Sequence, residues 1–138
     1  MKPVHAEDLV EAARAASERG YAPYSGFRVG AALLGEAGGV FTGCNVENAS
    51  LGMTICAEQS AVVCAVAAGE RRFQALAIYC EAQEPAPPCG ACRQVLREFA
   101  RDLRIYLAGA RGDWREVALA DLYPEPFGPD ALRGLGKD

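Results

Sequence analysis

Cys56 and Cys89 each stand at the head of a segment that reads as a helix, 33 positions apart, and Cys92 follows Cys89 at x₂ spacing. This pattern limits the possible folds more than any other feature of the chain. CAEQSAVVCAVAA, residues 56 to 68, is alanine-rich and stops at Gly69, which predicts a largely buried helix with a glycine C-cap. ACRQVLREFAR, residues 91 to 101, predicts a second, amphipathic helix. Helix N-termini favour thiolates through free N–H groups and the macrodipole. If the two helix starts converge, three thiolates surround one point.

Around these helices the pattern alternates. Leu9, Val10, Ala13 and Ala16 fall at helical spacing between Ala6 and Arg19, and Gly20 ends that run. RVGAALL (28 to 34) and VFTGCNV (40 to 46) predict two strands joined across GEAGG as a hairpin. ALAIYC (75 to 80), RIYLA (104 to 108) and REVA (115 to 118) predict three more, and the tail holds a short helical turn between prolines. Strands interleaved with helices imply an α/β architecture with one sheet covered by helices. Right-handed crossovers then bring both cysteine-bearing helix starts near one edge of the sheet. No repeat or composition break divides the chain, so residues 1–138 are expected to form a single domain.

Composition excludes several functions. Of the 138 residues, 51% are hydrophobic and 23% charged, a globular balance, and the net charge is −4. An acidic chain with scattered arginines lacks the clustered basic face of a nucleic-acid binder. No apolar run approaches the roughly 18 residues of a membrane span. MKPVHAEDLVEAA has no apolar signal-peptide core, so a cytoplasmic location is expected. In a reducing compartment, six cysteines point to burial, metal binding or catalysis before disulfides.

Cys89 and Cys92 have the spacing that grips a divalent metal, and Cys56 is the natural third ligand. His5, the only histidine, reads as a surface residue at the start of the first helix. Cys64 and Cys80 read as small core residues. Cys44 reads as a packed strand residue; as a fourth ligand it would close the site and make it structural. Three ligands leave one position for water, whose pKa zinc lowers to about 7. Glu58, two residues after Cys56, then stands beside that water without ligating the metal and suits a proton shuttle. Two other readings stay open on these residues alone: a C-x-x-C thiol oxidoreductase and a non-catalytic zinc staple.

The motifs YAPYSGFRVGAAL, GCNVENAS, TICAE, PPCGACRQV and LYPEPFGPDAL, in that order from Tyr21 to Leu132, resemble the small zinc-dependent cytidine deaminases. The resemblance implies a three-layer α/β/α fold with a mixed five-stranded sheet. It implies one Zn²⁺ per chain on Cys56, Cys89 and Cys92, and Glu58 as the catalytic acid and base. It further implies hydrolytic deamination of cytidine and deoxycytidine through zinc-bound hydroxide attack at C4. Phe27 would pack on the nucleoside, Asn45 and Glu47 would hold the ribose 3′-hydroxyl, and Ala57 would offer its backbone to the base. Phe127 matches a family phenylalanine near the site, and the family's homotetramer would place sites at subunit boundaries. Nucleic-acid and membrane partners are not expected. Two positions depart from relatives. Gln59 stands where three-cysteine members often have an arginine, which assigns compensation of the thiolate charge to the helix N-termini and Arg93. Leu51 stands where relatives often have an aromatic.

Overall fold

Side-chain alternation along one strand decides the layering. The computed structural model of the chain describes residues 3–133. Strand β1 (Val29–Gly35) sends Ala31 and Leu33 to one face of the sheet and Ala32 and Leu34 to the other. Its second face is covered by helix α1 (Ala6–Ser17), whose Leu9 and Ala13 pack with Ala75, Ala77 and Tyr106. Its first face is covered by helix α2 (Ala57–Ala67) and helix α3 (Gly90–Phe99). The three-layer architecture expected from the sequence is the one formed.

Strand β2 (Val40–Cys44) pairs antiparallel with β1 and closes the predicted hairpin. Strand β3 (Phe73–Cys80) lies antiparallel on the other side of β1. It crosses over through α3 to strand β4 (Arg104–Ala108), which lies parallel to it. Strand β5 (Trp114–Ala118) closes the order β2-β1-β3-β4-β5 as an antiparallel edge. A four-residue helix α4 (Leu119–Leu122) and a 3₁₀ turn at Pro129–Leu132 follow. The sheet is therefore mixed and five-stranded. Among the described residues, no helix is long and apolar enough to cross a membrane.

Leu33, Leu76, Leu96, Ile105 and Leu107 are buried in the core under α2 and α3. Each contributes roughly 1.5–3 kcal/mol of apolar burial, which seats both helices on the sheet. Gly43 lets α2 approach closely: a Cβ there would meet the Ala57 carbonyl at 2.6 Å and Ser60 Cβ at 2.8 Å. The first turn of α2 thus rests on bare backbone of β2.

Three expectations are corrected. The second strand stops at Cys44 instead of Val46, because Val46 makes only isolated bridges with Tyr21 and Ile55. Helix α2 is not buried all round. Ala57, Glu58, Ala61, Val62 and Ala65 form its inward arc, while Val63 is 63% exposed. For the same reason Cys64 is an exposed residue, not a core one. Apolar side chains run around the whole helix, so the sequence does not mark which arc faces inward. Cys80 is buried, as expected.

Candidate metal and catalytic site

The site forms along the edge of the sheet where β2 and β3 end and β1 begins, as expected of the two cysteine-bearing helix starts. Cys56 is the N-cap of α2, with extended backbone at φ −76°, ψ 156°. Cys89 is the N-cap of α3 at φ −67°, ψ 170°. Cys92 lies one turn into α3 and is fully buried. The sulfur atoms of Cys56, Cys89 and Cys92 all lie within 4.8 Å of one another, and the Cys89–Cys92 pair is 3.4 Å apart. Tetrahedral zinc with Zn–S bonds near 2.3 Å sets sulfurs about 3.8 Å apart, so this donor set fits that ion.

The thiols differ in acidity. Hydrogen bonding from Cys92 holds the Cys56 thiol down to about 7, against its burial and the nearby Glu58 carboxylate. The pairing with Cys56, reinforced by burial, pushes the Cys92 thiol up correspondingly. Of these two thiols, Cys56 is the more readily ionised. A divalent cation would ionise the remainder outright. Cys56 and Cys89 stand at helix N-termini, where free N–H groups and the helix dipole favour thiolate.

Cys44 cannot close the site. It pairs with Gly30, whose Cβ position would meet the α1 backbone, so its side chain lies on the α1 face of the sheet. Its Sγ lies 3.6 Å from the Arg19 carbonyl. His5 is exposed at the N-cap of α1, away from the sulfurs.

Glu58 is only 6% exposed. Burial pushes its carboxyl up from the usual carboxylate range, partly offset by its own backbone N–H and by the Cys92 thiol. It lines a cavity of about 230 Å³ with Cys56, Ala57, Cys89, Phe27 and Asn45. Val29, Ile55, Ile78 and Pro87 make its apolar walls, and among the described residues neither lysine nor arginine lines it. A wider groove of about 670 Å³ between α1 and β2 holds no ligating or acid–base cluster.

A family model described as the cytidine and deoxycytidylate deaminase zinc-binding region matches residues 3–108. The chain belongs to this deaminase family. The cytidine deaminase of Sporosarcina psychrophila is 45% identical over 127 residues, covering 91% of this chain and 93% of that protein. The crystal structure of cytidine deaminase from Burkholderia pseudomallei superposes with a TM-score of 0.86 at 49% identity, over 90% of this chain and all of that one. That from Mycobacterium tuberculosis gives 0.80 at 42% identity, over 91% and 98%.

Not every residue assigned to this deaminase site from sequence is brought into the cavity. Asn45 is buried, but its side chain is engaged by the loop it faces. Its Oδ1 accepts the Val29 N–H at 3.0 Å, and its Nδ2 donates to the Phe27 carbonyl at 2.8 Å. It thereby fixes Phe27. Glu47 lies outside the cavity lining and accepts from the Tyr24 and Ser25 N–H groups at 2.9 and 3.1 Å, and from the Ser25 hydroxyl. The hydroxyl of Ser25 foremost holds the Glu47 carboxyl below the usual range. Phe127 is 55% exposed and does not line its own chain's cavity. Leu51 is 73% exposed in a 3₁₀ turn.

The two residues weighed for charge compensation are engaged as follows. Gln59 turns its carbonyl Oε1 to the Cys56 N–H at 3.3 Å, the return half of a capping box. Arg93 points its guanidinium at the carbonyls of Pro88 and Leu122 instead of at sulfur. Sequence reasoning missed Ser25 altogether, since YAPYSG reads only as a turn. It also missed Thr54 and Cys80 in the cavity wall, which no local motif marks.

Proposed function

We propose that this chain hydrolytically deaminates cytidine and deoxycytidine to uridine and deoxyuridine, releasing ammonia. The observation that carries it is a buried carboxylate in the first turn of the helix whose N-cap thiol joins two others within 4.8 Å, with Glu58, Cys56 and Cys89 lining one cavity and Cys92 buried behind them. Zinc held by Cys56, Cys89 and Cys92 supplies Lewis acidity and a water-derived nucleophile near neutral pH.

The chain's own residues do the rest. The apolar walls and Phe27 hold the pyrimidine and keep bulk water out. Glu58, its carboxyl raised by burial, takes the proton of the attacking water and delivers it to N3. It then carries a proton to the departing 4-amino group, so one water adds across C4 as one ammonia leaves. Such a placed acid and base contributes about 10²–10⁴-fold. Ala57, the residue between Cys56 and Glu58, presents its backbone to the base. Glu47, fixed by Ser25, and the remaining N–H of Asn45 address the ribose 3′-hydroxyl. With no cation among the described residues of the wall and a carboxylate near the sugar, the site favours nucleosides over 5′-phosphates.

The working form is a homotetramer of single-domain subunits in the cytoplasm, serving pyrimidine salvage. Exposed Val63, Leu51, Met53, Tyr24 and Phe127 support that assembly as large apolar side chains that a neighbouring subunit would cover. In it Phe127 reaches the cavity of a neighbouring subunit. The test is direct: purified protein should hold about one zinc per chain, and cytidine absorbance should fall as uridine forms. Zinc without turnover would favour a structural staple, and disulfide reductase activity without zinc would favour thiol redox chemistry.

A further inference from the structure

The two side chains that follow Cys92 both reach away from the cavity. Arg93 Nε donates to the Pro88 carbonyl at 2.8 Å, and its Nη1 donates to the Leu122 carbonyl at 2.8 Å. Pro88 is fully buried and immediately precedes Cys89. One guanidinium therefore ties the entry to the ligand loop to the end of α4. Gln94 continues the contact. Its Nε2 donates to the Phe127 carbonyl at 2.6 Å. The Tyr123 hydroxyl donates to Gln94 Oε1 at 2.5 Å and accepts the Phe127 N–H at 3.0 Å. These three hydrogen bonds form a closed ring, in which each donor orients the next acceptor.

The ring and the fork have a common effect. The segment from Leu122 to Phe127 has no strand or long helix to hold it, yet three of its polar groups bond to two adjacent α3 residues. The Tyr123 ring packs against the main core as well. Among the described residues, both hydrogen bonds of Arg93 end on carbonyl oxygens and none on sulfur. These contacts fix geometry. A planar guanidinium can serve two carbonyls at fixed angles, whereas an ammonium acts as a point charge on a flexible stem.

We propose that Arg93 and Gln94 are positioning residues that brace the Cys89–Cys92 loop against the segment Leu122–Phe127, which makes that segment a support of the metal centre. The proposal rests on the reading that Cys56, Cys89 and Cys92 hold zinc. Groups that orient metal ligands typically carry about 10–100-fold of metal affinity.

The experiment compares full-length zinc-loaded protein with Arg93→Lys and Arg93→Met, measuring zinc transfer to a chromophoric chelator. Both variants should surrender zinc about 10–100-fold more readily than wild type. The melting temperature of the metal-free proteins should stay together, while the rise produced by added zinc shrinks in the variants. A residue that merely stabilised the fold would lower the metal-free value and leave the zinc-induced rise intact, which would overturn the brace. Wild-type zinc retention in Arg93→Lys, with loss only in Arg93→Met, would assign Arg93 to charge compensation and also overturn it. Should Arg93→Lys not fold, Tyr123→Phe removes one hydroxyl from the ring and should shift zinc transfer in the same direction; wild-type retention there overturns the proposal. A wild-type protein that takes up no zinc sinks the metal reading itself, and the brace with it.

Discussion

Gly43→Ala tests whether the close approach of β2 to α2 sets the catalytic geometry. The added Cβ would sit 2.6 Å from the Ala57 carbonyl and 2.8 Å from Ser60 Cβ, where ordinary contact begins at 3.4 Å. The neighbours are mostly helix backbone, which cannot swing aside as a side chain can. The Ala61 backbone nitrogen lies closer still, so this part of α2 must retreat by about 1 Å relative to β2 to restore contact. The first turn of α2 carries Cys56 and Glu58, while Cys89 and Cys92 stay on α3. Overpacking of this kind costs roughly 1–3 kcal/mol, or roughly 3–12 °C in melting temperature for a chain of this size. A displacement near 1 Å at reacting groups costs on the order of 10²-fold in rate. We expect kcat/KM for cytidine to fall about 10²-fold, with the folded fraction at 25 °C almost unchanged. The assays are thermal unfolding and the decay of cytidine absorbance, with Gly52→Ala as control because its Cβ would have nothing within 4 Å. Equal activity in the two variants would refute the reasoning.

Glu58→Gln should keep zinc and lose at least about 10²–10⁴-fold in turnover, read by metal analysis and steady-state kinetics. The same variant probes linkage in metal-free protein. The carboxyl is raised in the folded state above its ordinary 4.5, so wild-type stability is full below that pH and declines as pH rises through the folded value. Glu58→Gln should therefore raise the melting temperature at pH 7 to 8 and leave it unchanged near pH 4; an unchanged value at pH 8 counts against the burial cost. Cys89→Ala should lose metal and thermal stability together, measured by zinc content and unfolding. Glu47→Ala should raise KM for cytidine far more than for free cytosine, and equal shifts would remove Glu47 from the ribose.

Much of this could be read from spacing. A cysteine placed just ahead of an alanine-rich or amphipathic run marks an N-cap, and both Cys56 and Cys89 proved to be one. Alternation along β1 and the crossover between β3 and β4 carry the layering. What the sequence hid depends on which way side chains face in three dimensions. Cys64 sits on a helix apolar on every side, so nothing local tells its inner arc from its outer. Arg93 beside a thiolate ligand suggests charge neutralisation, but its reach is settled by the Pro88 and Leu122 carbonyls, the latter 29 residues on. The family resemblance points to Glu47 as a group for the ribose, while its anchor on Ser25 spans 22 positions and shows only in the fold.

The three sulfurs come from helix starts on either side of β3, so an ion bound between them clasps a span that includes all of α2 and the central strand. Treated as a cross-link, closing a loop of this length removes about 4 kcal/mol of conformational freedom from the unfolded chain. The reagent of the reaction is then also the fastener of the protein. Cells short of zinc would lose these molecules to proteolysis as well as losing their turnover.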